Sequence, residues 1–550
     1  MPSIAILRVA RVGALSRVLS GALPSTVSGA LSALAIVSDM PAMAQSADYD
    51  VIIRNGIVID GTGAPRRRAD VAIRDDRIVR VGTIAATATA TRSVDATGRI
   101  VAPGFIDSHS HAAPEIETAA LAAARPILLQ GITTVFINPD GGGAGDLAPQ
   151  IARIRRVGPG VNVVPMIGHN GVRQAVMGLA NRKPTGGEQA RMEALVRQAM
   201  DLGVYGLSSG PFYVPGKYAD TAEMIGLAKE VARYPHGFHT SHIRDESSYD
   251  IGVIAAIKEL IAISRAARLT GVVSHIKLLG PSVWGKSAEA IALIEKARAE
   301  GLSIWADQYP YAASGSGLRP ALVPGWAQEG GSAALVRRLQ DPVQRAAIRK
   351  AMTVNLQRRA GAHAIMIGSY APDPSLEGKR LDEIAAARRM DPIDVAIAML
   401  EKADAGIISF NMSETDIEAL MQQPWTMTST DGALVTFGKG SEHPRAYGAF
   451  VRKLRRYALD KPVITLEQAI HSATGLPALV FAVPDRGVIR AGAYADVIVF
   501  DPATVTDTAT YTRPHSYAKG IDDIFVNGRA AVTAGQVMPD RGGRVLLRTR

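Results

Sequence analysis

Cysteine is absent from all 550 residues, which excludes disulfides and thiolate metal ligands. Aromatic residues make up only 5% of the chain and its four tryptophans are scattered, so no stacking ladder for nucleic-acid bases is present. Dense basic runs are missing as well: the formal net charge is +10, but lysines and arginines are interleaved with acids throughout. Such a balance helps an anionic substrate approach and is not a nucleic-acid footprint. Beyond the N-terminal region there is no stretch of about 20 uninterrupted apolar residues, so no membrane insertion is expected and the mature protein should be soluble. What the chain has in quantity is glycine, 53 residues, which predicts many tight loops. Its length exceeds one hydrophobic core and predicts a large domain with a smaller one.

Residues 1–44 read as a cleaved export signal. Arg8, Arg11 and Arg17 precede a small-residue apolar run that ends in Ala42-Met43-Ala44, a small-x-small cleavage pattern. Cleavage after Ala44 implies a periplasmic or secreted protein; an N-terminal extension without structure is the alternative. Residues 49–60 and 69–82 then alternate apolar and polar side chains around Asn55-Gly56 and Asp75-Asp76, the texture of short antiparallel strands and hairpins. The same texture returns at 486–500 and 521–533, around Asn527-Gly528. The two ends, 45–103 and 484–550, are expected to meet in one small β domain.

The middle, 104–483, has a different rhythm. Eight short apolar runs, FIDSHSH (105–111), TTVFINPD (133–140), NVVPMIGH (162–169), YGLSSG (205–210), GFHTSHIRDE (237–246), GVVSHIKL (271–278), LSIWADQYPY (302–311) and TMTSTDG (426–432), alternate with helical patterns. Repeated strand-helix units of this kind predict an α/β fold, a (β/α)8 TIM-like barrel whose active site lies at the C-terminal strand ends. Residues 312–372 are expected to form an insertion over its mouth. The basic stretch Arg452-Lys453-Leu454-Arg455-Arg456 reads as a solvated helix face.

The polar residues concentrate at the ends of these runs. Alternate strand residues share a face, so His109 and His111 point the same way, with Asp107 behind them. Taken alone, such a pair suits packing as well as metal binding. His242 and His275 end the fifth and sixth runs, and four neutral imidazoles gathered by packing would each need a hydrogen-bond partner. Asp431, closing the eighth run, is an acid/base candidate or a helix cap.

VAPGFIDSHSH (101–111), GITTV (131–135), YGLSSGPFYVPGKYADTAE (205–223), TSHIRDE (240–246), VSHIK (273–277), TDG (430–432), HPRAYGAF (443–450) and ADVIVFDP (495–502) together resemble the amidohydrolase superfamily, most closely its D-aminoacylase branch, the N-acyl-D-amino-acid deacylases. The resemblance runs over nearly all of residues 49–549. It implies a (β/α)8 barrel with a small β-sandwich formed by both chain ends. It also implies His109, His111, His242 and His275 as metal ligands and Asp431 as the catalytic acid and base. At the second strand's end the branch has a bridging cysteine, and here the aligned residue is Asp140. A carboxylate bridges two cations through its two oxygens and is a harder ligand, so one or two Zn2+ ions are expected, with Mn2+ or Co2+ admitted; a cap on the glycine-rich turn is the other reading. The absence of lysine at the end of YGLSSG argues against the carboxylated-lysine bridge of dihydropyrimidinase-like relatives.

The activity implied is hydrolysis of the amide of an N-acyl-D-amino acid, with water activated by the metal and Asp431 passing its proton to the leaving amine. Lys277, on the same strand face as His275, and Tyr309 and Arg445, at family positions, are expected to grip the substrate carboxylate; core packing or ion pairing is the alternative for each. His169 and Arg173 resemble a family segment that supports the site from behind. The expected partner is thus a small molecule carrying a carboxylate and an amide, with oligomeric state left open. Alternatives are an amidase or peptidase for dipeptides, cyclic imides or xenobiotic amides and, more remotely, a non-catalytic binding scaffold.

Overall fold

The computed structural model describes residues 47–440 and 442–548, so the expected export signal at 1–44 lies outside the described residues. Eight parallel strands appear where the apolar runs predict them: Phe105–Asp107, Ile132–Ile137, Asn162–Pro165, Gly206–Ser209, Phe238–Ser241, Thr270–Val273, Ile304–Gln308 and Thr426–Thr428. Each pairs with the next in sequence order; the third reaches the fourth through Ile167–Gly168. Ring closure falls to the first and eighth strand ends, where the Asp431 amide donates to the His109 carbonyl at 2.9 Å and the His111 amide to the Gly432 carbonyl at 3.0 Å.

These strands are almost wholly buried, which is why they read as apolar runs rather than alternating ones. Ile106, Phe136, Val164, Phe238, Val272 and Met427, from six different strands, join one buried cluster, and Phe481 closes against Phe136 and Phe238. Amphipathic helices between the strands carry local start signals. Thr185 and Glu188 form a capping box at Gly186–Asp201, and the Asp220 carboxylate accepts the Glu223 amide at the start of Thr221–Val231.

Both chain ends contribute to a second, nine-stranded sheet. Val497–Phe500 pairs antiparallel with Ile100–Pro103, joining the C-terminal strands 521–537 to the N-terminal strands 49–95. Asp75-Asp76 and Asn527-Gly528 turn hairpins as expected, the latter with both residues in the left-handed region. Asn55-Gly56 does not: Tyr49–Val58 runs straight through it, and Asn55, at φ 62°, makes a bulge in the pairing with Arg67–Arg74. An Asn-Gly pair satisfies either geometry, so the dipeptide alone could not distinguish them.

The insertion after the seventh strand is longer than 312–372. Ser314–Gly317 and Ile365–Ser369 both pair with Gly406–Ser409, and helices Leu381–Arg388 and Pro392–Leu400 pack with them around one apolar core. In the basic stretch at 452–456, Arg456 is exposed as expected, but Lys453 is not: it is 2% exposed and donates to the Thr428 and Ser472 hydroxyls at 2.8 and 2.9 Å.

Candidate active site

Asp140, His275 and Asp431 all follow barrel strands and all adopt positive φ, 55°, 36° and 47°. Left-handed backbone is uncommon for non-glycine residues and costs energy that surrounding structure must hold in place. Here it turns three side chains inward from three strand ends. Gly210 makes room for one of them, because a β-carbon there would stand 2.2 Å from the Asp140 carbonyl oxygen.

The Asp140 carboxylate lies among the four predicted histidines. Its Oδ1 is 3.2 Å from His109 Nε2 and 3.3 Å from His275 Nε2; its Oδ2 is 3.4 Å from His111 Nε2 and 3.8 Å from His242 Nδ1. Asp431 Oδ1 joins at 3.2 Å from His111 Nε2 and 3.7 Å from His109 Nε2. Donor atoms about 2.1 Å from a tetrahedral ion stand about 3.4 Å apart, so this spacing is that of a ligand shell. Among the described residues, two sets of donors each fall within 4.8 Å of one another: His109, Asp140, His275 and Asp431, and His242, Glu246 and His275. His109 Nδ1 and Nε2, Asp140 Oδ1 and His242 Nε2 are buried without any hydrogen-bond partner, although buried polar atoms normally have one. The donor set therefore fits a cation.

Charge points the same way. Burial works against Asp140 and Asp431 as anions, yet His109 and His275 hold Asp140, and Arg445 and His275 hold Asp431, well below the usual carboxylate range. Burial also opposes charging His111 and His275, yet the surrounding carboxylates raise them to about 9 and about 10. A cluster that draws protons onto imidazoles has an excess of negative charge for a metal ion to neutralise.

Glu246 is the residue that sequence reasoning missed. Its Oε1 lies 3.1 Å from His275 Nδ1 and its Oε2 lies 3.7 Å from His242 Nε2, the ring nitrogens turned away from Asp140. A carboxylate behind two metal-facing imidazoles favours their charge and holds them in place, here by close contact with His275 and at longer range with His242. Its place in TSHIRDE, four residues after His242, was the available signal. Lys277 also points into this cluster, but its ammonium is bonded to Glu246 at 2.6 Å and touches His275 Nδ1 at 2.6 Å.

Behind the first strand, Asp107 accepts the Thr430 amide at 2.9 Å and hydroxyl at 2.5 Å, tying the His109 strand to the Asp431 strand; burial pushes its carboxyl up to about 7. Arg445 Nη1 donates to Asp431 Oδ2 at 2.7 Å, and its guanidinium stacks 4.7 Å from the Tyr309 ring centre. Tyr309 is 1% exposed, its hydroxyl directed at the Met412 sulfur. His169 and Arg173 both bind Glu223, all three fully buried, in a network outside the cavity lining. The cavity itself encloses about 410 Å³, and its wall includes His111, Asp140, His242, Glu246, His275, Lys277, Asp431 and Arg445.

Comparison with known proteins agrees with this geometry. The amidohydrolase family pattern matches residues 92–537. N-acyl-D-glutamate deacylase of Alcaligenes xylosoxydans xylosoxydans is 35% identical, over 91% of this chain and 96% of that protein. D-aminoacylase of the same organism is 34% identical, over 92% and 99%. Among solved structures, N-acyl-D-glutamate deacylase from Bordetella bronchiseptica, complexed with zinc and a phosphonate inhibitor that mimics the tetrahedral intermediate, superposes with a TM-score of 0.78 at 35% identity, covering 91% of this chain and all of that one. A D-aminoacylase structure described for its binuclear metal centre gives 0.78 at 33%, with the same coverage. The fold, the gathered histidines and the extent of these matches lead to one conclusion: this chain belongs to the amidohydrolase family, in the branch of the N-acyl-D-amino-acid deacylases.

Proposed function

We propose that the protein is a metal-dependent hydrolase that cleaves N-acyl-D-amino acids to a carboxylic acid and a free D-amino acid. The observation that carries this reading is Asp140, whose two oxygens face two pairs of imidazoles with unpartnered buried atoms between them. His109, His111, His242 and His275 together with Asp140 would hold one or two ions, His109 and His275 on the side of one Asp140 oxygen and His111 and His242 on the side of the other. A bound zinc supplies Lewis acidity, bringing a water toward neutral pKa and polarising the scissile carbonyl. Glu246 supports His275 from behind at 3.1 Å and faces the outer nitrogen of His242 at 3.7 Å. Asp431 takes the proton from the attacking water and delivers it to the leaving nitrogen.

Arg445 gives this step a condition. Its guanidinium now neutralises Asp431 through one hydrogen bond, and the substrate α-carboxylate offers it a bidentate partner. Arrival of substrate frees Asp431 to act as base only when the carboxylate is correctly seated. Tyr309 holds the guanidinium plane from the other side. Anchoring the carboxylate there while the amide sits at the metal is what selects one enantiomer. Lys277, tied to Glu246, supports the histidines in this state and becomes a carboxylate ligand only by leaving that pair.

We read 45–103 and 484–550 as a β-sandwich domain and 104–483 as the barrel; the nine-stranded sheet shared by both ends supports this division. Export rests on Arg8, Arg11, Arg17 and the Ala42-Met43-Ala44 pattern, and no helix among the described residues is long and apolar enough to cross a membrane. The test is a hydrolysis panel pairing N-acetyl-D- and N-acetyl-L-amino acids with dipeptides, on zinc-loaded protein. Release of D-amino acid alone is expected; cleavage only of dipeptides or of L-substrates overturns the reading.

A further inference from the structure

Five arginines are buried among the described residues: Arg173, Arg244, Arg359, Arg445 and Arg486. Four pair with a carboxylate, Glu223, Glu259, Asp431 and Asp496 in turn. Arg359 does not. It follows helix Pro342–Arg358 of the insertion and is 2% exposed. Its Nε donates to the Tyr249 hydroxyl at 2.7 Å and its Nη1 to the Ser409 hydroxyl at 3.0 Å, both neutral partners. A guanidinium remains charged at any working pH and carries five N–H donors, so two are used and three are left. Burying such a charge without a counter-ion is unfavourable, and proteins rarely leave it so.

Arg359 lines the same cavity as Asp140 and Asp431. Tyr249 positions it: the Tyr249 ring lies 5.6 Å from Phe212, which lies 5.2 Å from His242. The contacts from the unpaired guanidinium to the metal-binding cluster thus run through two aromatic rings, Tyr249 and Phe212. Arg445 stands beside Asp431, where the reading above places the α-carboxylate. Glu442 also lines the cavity but forms no ion pair with Arg359.

We propose that Arg359 receives a second carboxylate of the substrate, so that the preferred substrates are dicarboxylates, N-acyl-D-amino acids bearing an acidic group besides the α-carboxylate. This rests on the deacylase reading and narrows it. Similarity alone does not decide the matter, because relatives named for D-glutamate, for D-aspartate and for D-amino acids generally lie at 35%, 32% and 34% identity. The second carboxylate has two sources, the amino-acid side chain or the acyl group, and the geometry of a planar fork suits either.

The experiment compares kcat/KM of the zinc-loaded chain for N-acetyl-D-glutamate, N-acetyl-D-aspartate, the neutral isostere N-acetyl-D-glutamine, N-acetyl-D-leucine and N-succinyl-D-leucine. The expected result is a preference of about 30-fold or more for a dicarboxylate over its neutral counterpart, the scale of a buried charged hydrogen bond. Preference for N-acetyl-D-glutamate or N-acetyl-D-aspartate assigns the subsite to the side chain; preference for N-succinyl-D-leucine over N-acetyl-D-leucine assigns it to the acyl group. Arg359→Gln should abolish the preference through KM while neutral substrates keep their rate, and Arg359→Lys should restore part of it. Equal rates on charged and neutral isosteres in the wild type, or an equal loss on all substrates in a folded Arg359→Gln, overturns the proposal and leaves Arg359 a structural residue. Should Arg359→Gln fail to fold, the wild-type isostere ratio and Arg359→Lys still decide. Hydrolysis of neutral N-acetyl-D-amino acids without acidic preference removes this inference alone, whereas no hydrolysis of any N-acyl-D-amino acid removes the deacylase reading with it.

Discussion

On the barrel wall of the cavity every buried cation has an acid of its own: Lys277 meets Glu246 and Arg445 meets Asp431. On the insertion wall Arg359 has hydroxyls only. On the barrel wall the backbone is held in the left-handed region at the reacting groups themselves, Asp140, His275 and Asp431, whereas in the insertion it is Ala360, the neighbour of Arg359, that adopts it. Reacting groups need fixed positions and mutual charge balance, which packed strand ends supply. Arg445 must exchange Asp431 for the substrate carboxylate, whereas Arg359 has no acid to exchange. On the proposed reading the barrel carries the chemistry and the α-carboxylate grip, and the insertion adds the choice of a second carboxylate.

Substitutions on the two walls should therefore fail differently. The largest effect is expected at Asp431. Asp431→Asn should lower kcat about 10³-fold while metal content stays near that of the wild type, since proton transfer is lost and the histidines remain; turnover near wild type would remove Asp431 from its role. Glu246→Gln comes next, with a loss of about 10–100-fold in metal affinity or activity, because His242 and His275 lose the carboxylate that orients them. Metal titration separates this from a substrate effect: affinity should fall for zinc even without substrate. Arg359→Gln, of about 30-fold, should touch acidic substrates alone.

The smallest expected effect lies outside the cavity. Lys453 is buried against Thr428 and Ser472, again without an acid, and burial pushes its ammonium down to about 7. Its folded value lies below its ordinary one, so between about pH 7 and 10.5 the unfolded state binds more protons and stability rises with pH. Lys453→Met should remove that slope and raise Tm by about 2–5 °C at pH 7 and below, with kcat unchanged. Thr428 and Ser472 already contact each other at 3.1 Å and so keep a partner when the lysine is replaced. Calorimetry across this range checks it; an unchanged or lower Tm at pH 6 would show that the lysine is not a buried burden.

The contrast between the walls also explains what the sequence made legible. Eight apolar runs mark the strands because each is covered on both sides, and a histidine or aspartate at the end of such a run stands out. His109, His111, His242, His275 and Asp431 were found on that ground, and the resemblance aligned Asp140 with them. Glu246 was inside a quoted motif yet unassigned, because its part is played across the chain, against a lysine and a histidine some 30 residues on. Arg359 had no local signal at all: a helix-ending arginine is ordinarily a solvated cation, and only tertiary packing buries it. Lys453 misled for the same reason, being the one lysine or arginine of a basic stretch that is buried, against Thr428 of the eighth strand. The insertion ran past its expected end because its central strand, Gly406–Ser409, lies last in sequence but pairs with both earlier strands.

The most direct test is a zinc-edge anomalous diffraction experiment on crystals of the zinc-loaded protein. The account predicts zinc in contact with the Asp140 carboxylate, ligated by imidazoles from among His109, His111, His242 and His275, and that the signal is lost in Asp140→Ala. Zinc bound by these histidines with Asp140 turned away, or undiminished in Asp140→Ala, would contradict it.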